Sequence, residues 1–225
     1  VLIKTERQKP IASTELIANA LREAISVGDI PARAALKQDE IAAQFEVSHT
    51  PVREALKLLI SEGLAVSHHN RGVCVAELSA EVARELIEFR CLLEPKLAAW
   101  AVPNLRAGDI AAATALIREI EKAKDIASKL KLAVRFHTVI YQRANRPFFL
   151  AQINNVRNNL GRYWRLVWED EKFTPDTQDD HRTIVRLCKA GDGGALAAFI
   201  EGHVRRSGDI IIAFIEAHQR RAKPA

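Results

Sequence analysis

Imidazole is the commonest nitrogen donor for first-row divalent metals. Three histidines, His137 in "VRFHTVIYQ", His181 in "DDHRTIV" and His203 in "IEGHVRR", each fall in a separate helical stretch of the chain. Brought together inside a helical bundle, they would hold a divalent metal. Taken one at a time they read as ordinary surface or core histidines, and His68, His69 and His218 are assigned to that reading. Three imidazoles with an open coordination position can also activate water, so a metal-dependent hydrolase is one chemistry this set permits. A hydrolase needs a general base, and the carboxylates close in sequence are Glu201, Asp179 and Asp180, residue types that more often cap helices or face solvent. Arg90 is the residue suited to an organic acid, because a guanidinium matches a carboxylate bidentately. Glu94 follows it by one helical turn, so the same pair also reads as an internal salt bridge.

A second chemistry lies in "SHTPVREALKLLISEGL", Ser48 to Leu64. Val52, Ala55, Leu56, Leu59 and Ile60 form one apolar stripe of helical period, and Gly63 ends it. Thr50 is a good N-cap and Pro51 suits the first helical position, which needs no N–H donor. Arg53 and Lys57 lie off the stripe, with His49 and Thr50 at the exposed end. A helix that only fills a core has no use for such a start. Free N–H groups, the positive end of the helix dipole and an arginine in the first turn suit a phosphate backbone.

Other elements must hold these residues in place. Ile17, Leu21, Ala24 and Ile25 recur at helical spacing between Ser13 and Val27, and "KQDEIAAQF" supplies a short second helix with Ile41, Ala42 and Phe45 inward. "EVSH" is the turn into the third helix, with Val47 tucked beneath. After it, Val66 and then Val73 and Val75 read as two strands around Asn70-Arg71-Gly72, which puts Arg71 at the tip of a wing where it can reach a minor groove. Beyond Leu78 only helical periodicity is found. Ser79 caps a helix to about Val102 with Val82, Leu86, Phe89, Leu93 and Leu97 inward, and further helices span 107–124, 126–144, 147–170, 176–190 and 192–219. The expected fold is mainly α. A winged helix-turn-helix domain over residues 1–78 precedes an all-α bundle domain over 79–225, and bundle cores commonly house small-molecule and metal sites.

Composition agrees with this outline. The chain has 225 residues, 48% of them hydrophobic, with few Gly and Pro, enough for two packed domains. No apolar run is long enough to span a membrane, "VLIKTERQKP" is too charged for a signal peptide, and three scattered cysteines suit free thiols in a reducing cytoplasm. The net charge of +5 is not where a DNA-binding domain would need it. Residues 1–78 carry 9 Lys and Arg against 10 Asp and Glu, so phosphate binding must come from local placement of a few side chains.

"DEIAAQFEVSHTPVREALKLLISEGLAV" resembles the winged-helix module of the GntR family of bacterial transcription regulators, whose run Ser-x-Thr-Pro-Val-Arg-Glu-Ala-Leu is complete from Ser48 to Leu56. The resemblance implies DNA contacts at Arg33, Ser48, Thr50, Arg53, Arg71 and Gly72, with His49 standing where many members carry Arg. It also implies homodimers on pseudo-palindromic operators. Residues 79–218 resemble the FCD ligand-binding domain of the FadR-like subfamily, through "FRCLLEPKLAAWA", "RFHTVIYQRANRPFF" and "HRTIVRLCKAGDGGALAAFIEGH". That similarity implies a zinc, nickel or manganese ion on His137, His181 and His203, beside a small organic acid reached by Arg90. Metal-binding members usually place Asp one turn before the first histidine, and here the residue is Ala133. The expected function is a ligand-responsive regulator, a repressor. Two alternatives stand beside it: a metal-free regulator responding to an acyl ligand, and the hydrolase with a DNA-targeting domain.

Overall fold

The structure, a computed structural model, describes residues 13–69, 72–169 and 178–222, with side chains through residue 220. It divides into two compact units, 1–77 and 78–225.

In the first unit, α1 (Thr14–Val27) starts where the Ser13 hydroxyl accepts a hydrogen bond from the Leu16 N–H at 3.2 Å, and it ends at Gly28 with φ 78°. The second helix, α2 (Gln38–Phe45), ends at Glu46 in the left-handed conformation, and α3 (His49–Ser61) follows after two residues, closed by Gly63 with φ 73°. Ile17, Ala18, Leu21, Ile25, Ile41, Val52, Ala55, Leu56 and Leu59 make a shared core with Val47 packed against it. Arg22 on α1 adds a bidentate ion pair to Glu62 at 2.7 and 2.8 Å, which pins the end of α3. The hairpin is β1 (Ala65–His68) and β2 (Gly72–Val75), antiparallel with Ala65 opposite Val75 and His68 opposite Gly72. Backbone bonds from Leu36 N to Val73 O and from Val75 N to Ala34 O join the segment before α2 to this hairpin. Asn70 and Arg71, expected at the wing tip, lie outside the described residues.

One local expectation is corrected. The third helix begins at His49 with Ser48 as the extended N-cap residue, two positions before the Thr50 cap read from sequence. Pro51 is then the third helical residue. The first N–H groups of any helix lack an intrahelical acceptor, so proline is tolerated there as well as at the first position.

The second unit consists, among the described residues, of α4 (Ala80–Ala101), α5 (Ala107–Lys122), α6 (Ile126–Tyr141), α7 (Pro147–Glu169), α8 (Gln178–Ala190) and α9 (Gly193–Ala222). The cap read from sequence at Ser79 does its work, accepting from Val82 N, and Asp125 caps α6 in the same way by accepting from Ser128 N at 2.7 Å. Helices α4 and α9 approach so closely that a Cβ on Gly208 would fall 2.5 Å from Ile87 Cγ2. Tyr163 on α7 both donates to the Ser79 carbonyl and accepts from its N–H, clamping the start of α4.

The inward face of α4 is also corrected. Val82 and Phe89 are exposed and Leu86 and Leu93 only half-buried, whereas Ala83, Ile87, Arg90, Glu94, Leu97, Ala98 and Ala101 are buried. The helix is rotated because its core face carries an ion pair, and charged residues count as surface when a face is chosen by hydrophobic period.

Candidate functional site

The bundle brings the three histidines together. His137 on α6, His181 on α8 and His203 on α9 are 3%, 3% and 5% exposed, and their ring centroids stand 5.3 to 5.7 Å apart. One nitrogen of each lies within 4.8 Å of the others. Phe136 lies against His137 and His181, with ring centroids 4.9 and 4.4 Å away, and excludes solvent from that side. All three imidazoles are held neutral. Burial does most of this, helped by positive charge from Arg157: it lowers His137 well below its ordinary value and His181 to about 3. His203 is lowered too, chiefly by burial, against the opposing effect of its hydrogen bond to the Asp180 carboxylate. A neutral imidazole is the form that donates to a cation.

Whether these residues suit a divalent metal is answered by His137, whose Nδ1 is buried and has no hydrogen-bond partner. An unsatisfied buried nitrogen costs about 1–3 kcal/mol, which a cation or a water held at the cluster would relieve. Nitrogen donors alone suit zinc or nickel. Ala133, one turn before His137, offers no ligand atom. His181 and His203 have their Nδ1 atoms near Gln178 Oε1 (3.4 Å) and Asp180 Oδ2 (2.8 Å). That leaves the Nε2 of each for the cluster.

Beside the histidines is a buried ionic network that sequence reading only half found. Arg90 Nε donates to Glu94 Oε1 at 2.5 Å, as the salt-bridge reading of this pair expects. Arg157 on α7 also pairs with Glu94 through both carboxylate oxygens, and the Tyr141 hydroxyl donates to Oε2 at 2.9 Å. Burial would raise the Glu94 pKa, but Arg157 and Arg90 override it and hold the carboxyl at about 2. Two guanidiniums share one carboxylate, so the network keeps a positive charge toward the histidines. Arg157 went unnoticed in the sequence, although Ile153 and Leu160 mark it as sitting on a buried helix face.

The carboxylates considered for a hydrolase are all held in pairs, Asp180 beside the cluster itself. Glu201 pairs with Arg205, Asp179 with Arg182, and Asp180 with His203 and Arg206.

In the winged unit, Ser48, His49, Thr50 and Arg53 are exposed at the N-terminal end of α3. Arg53 has no side-chain partner among the described residues, whereas Lys57 is paired with Glu54 at 2.9 Å and His49 Nε2 lies 3.4 Å from Asp39. Arg33 adopts φ 69° and is paired with Glu77, both highly exposed. Gly72 opens β2 at φ 74°, a conformation that favours glycine.

A two-helix turn followed by a hairpin, together with a separate bundle carrying a buried polar cluster, defines a winged-helix DNA-binding regulator with a helical sensor domain. Residues 13–75 match the family described as bacterial regulatory proteins, gntR family, and residues 85–206 match the FCD domain. The chain belongs to the FCD-domain family, carries a gntR-family DNA-binding domain and is a ligand-responsive, DNA-binding transcription regulator. The Nta operon transcriptional regulator of Aminobacter aminovorans is 26% identical over 180 residues, covering 79% of this chain and 84% of that protein. The gluconate operon transcriptional repressor of Bacillus licheniformis is 29% identical over 201 residues, covering 85% and 82%. Among solved structures, Escherichia coli McbR/YncC shares the fold with a TM-score of 0.76 at 24% identity, over 88% of this chain and 96% of that one. These names are those of regulators, not enzymes.

Proposed function

We propose that the protein is a repressor that acts in the bacterial cytoplasm and binds a small organic acid in its helical unit, beside a divalent metal on His137, His181 and His203. The observation that carries this is the convergence of three buried, neutral imidazoles, one with an unsatisfied nitrogen. Arg90, backed by Arg157, supplies the positive charge that an acid needs next to the cation. The name of the gluconate relative supports a hydroxylated carboxylic acid. On the DNA side, Ser48, His49 and Thr50 engage phosphates with the α3 N-terminus, Arg53 reads or anchors beside them, and Arg33, Arg71 and Gly72 complete the surface.

Elemental analysis of the purified, tag-free protein tests the metal. Near-stoichiometric zinc, nickel or manganese is expected in the wild type and its loss in His137→Ala. Absence from both after metal loading would overturn the metal and move the reading to an acid or acyl ligand held by the arginines and neutral histidines alone.

The operator partner calls for two copies. The outward face of α4 carries Val82, Phe89, Leu92 and Trp100, all more than a third exposed, with Glu85 and Lys96 in the same stripe. Antiparallel pairing of α4 with its copy about a two-fold axis would set Glu85 against Lys96, Phe89 against Leu92 and Val82 against Trp100. That self-complementarity supports an isologous homodimer. Leu92→Glu is expected to yield monomers in sedimentation velocity, and an unchanged dimer would rule this face out.

A further inference from the structure

Two histidines of the cluster are approached by side chains from the first turn of α8, but only one contact is a full hydrogen bond. Asp180 Oδ2 lies 2.8 Å from His203 Nδ1, while the Gln178 contact to His181 is longer at 3.4 Å. Asp180 is next in sequence to His181, so one helical turn supplies both a candidate ligand and the partner of another candidate ligand on α9. Asp180 also accepts from Arg206 Nη2 at 2.9 Å. Arg206 is mostly exposed and lies over the Phe199 ring at 5.7 Å.

An ionised carboxylate only accepts hydrogen bonds, so the proton of a neutral His203 sits on Nδ1 and its lone pair on Nε2. Without a fixed acceptor, a neutral imidazole divides between two tautomers and rotates about its χ2. A cation meets the correct lone pair only part of the time. Arg206 pairs with the same carboxylate from the solvent side, in an exposed contact that the His203–Asp180 bond does not require.

We propose that Asp180 is a positioning residue of the three-histidine site: by accepting from Nδ1 it fixes His203 in the tautomer and orientation that present Nε2 to a divalent cation. This rests on the metal-binding reading above. Asp180 does not touch the cation; it sets how well a ligand does. Partners of this kind typically contribute a factor of about 10–100 in metal affinity.

The test uses the full-length protein stripped of metal and titrated with zinc against a chromophoric chelator, comparing wild type, Asp180→Asn, Asp180→Ala and Arg206→Gln. The zinc Kd is expected to rise roughly 10- to 100-fold in Asp180→Ala. Asp180→Asn, whose amide oxygen can still accept, should fall between it and wild type. Arg206→Gln should stay close to wild type, because the His203–Asp180 bond survives. Two further readouts separate positioning from folding. The melting temperatures of the metal-free proteins should remain similar. In 15N-edited NMR of the metal-free protein, the His203 ring should show a single Nδ1-protonated tautomer in wild type and a mixture in Asp180→Ala.

Equal zinc affinity in wild type and Asp180→Ala would overturn the inference while leaving the metal site standing. So would an Arg206→Gln defect as large as that of Asp180→Ala, since the surface ion pair would then be what matters. A wild type that binds no zinc, behaving like His137→Ala, would overturn the metal reading and this inference with it.

Discussion

Arg53→Ala is expected to remove specific operator binding while leaving the fold intact. Arg53 stands exposed in the first turns of α3, off the stripe formed by the buried Val52, Ala55, Leu56 and Leu59. Removing it leaves no cavity and no unpaired partner, because no carboxylate among the described residues is bound to it. Its loss therefore falls on the DNA complex. One specific arginine contact is worth about 1–3 kcal/mol. In the proposed homodimer both copies lose it, so the effect doubles to about 2–6 kcal/mol, roughly thirty-fold to twenty-five-thousand-fold in Kd. The wild-type protein would first select its operator from a random duplex pool, and fluorescence anisotropy on that duplex would then compare the two proteins. Unchanged far-ultraviolet circular dichroism with lost binding is the expected pair of results. Loss of helicity in the variant, or full retention of binding, would remove Arg53 from the reading surface. Lys57 is a useful contrast: it is already paired with Glu54, so Lys57→Ala should cost less.

Glu94→Gln should have the largest effect on stability. Glu94 is fully buried and accepts from Arg90, Arg157 and Tyr141. The amide keeps the shape of the side chain but leaves two buried guanidiniums without a counter-charge. Breaking a buried ion pair from one side costs about 3–5 kcal/mol. For a protein of this size that corresponds to a fall in Tm on the order of 10 °C. The pH dependence has a definite sign. The carboxyl titrates at about 2 in the folded protein against an ordinary value of 4.5, so its contribution is complete above 4.5. It is lost as pH falls toward 2, where the protonated carboxyl resembles the amide. The difference in unfolding free energy between wild type and Glu94→Gln should therefore shrink across that window. A difference that is constant with pH, or absent at neutral pH, would show that Glu94 is not the charge holding these arginines.

Local stereochemistry made much of this protein legible from its sequence. Ser13, Gly28, Gly63 and Ser79 mark helix ends because caps and left-handed turns depend on only a few neighbouring residues. The helix-turn-helix with its hairpin, and the family resemblance carried by Ser48 to Leu56, follow from the same short-range patterns. The sequence leaves the start of α3 open by two residues, because Ser48 and Thr50 are both competent caps and proline is accepted at either resulting position.

What tertiary structure alone decided is which distant side chains meet. Glu94 and Arg157 lie 63 positions apart, and Asp180 and His203 lie 23 apart, on helices whose rotation no local pattern specifies. The case of α4 shows why. Val82 and Phe89, inward by hydrophobic period, point outward, and the helix's buried face carries Arg90 and Glu94. Hydrophobic period assigns charge to the surface, since an isolated buried charge is prohibitively costly. The packed bundle removes that cost by supplying Arg157 and Tyr141 from two other helices. The three histidines follow the same logic. Sequence could nominate them as ligands, but only the packing of α6, α8 and α9 brings their nitrogens within reach of one another, because that convergence is set by helix rotation and crossing, not by spacing along the chain.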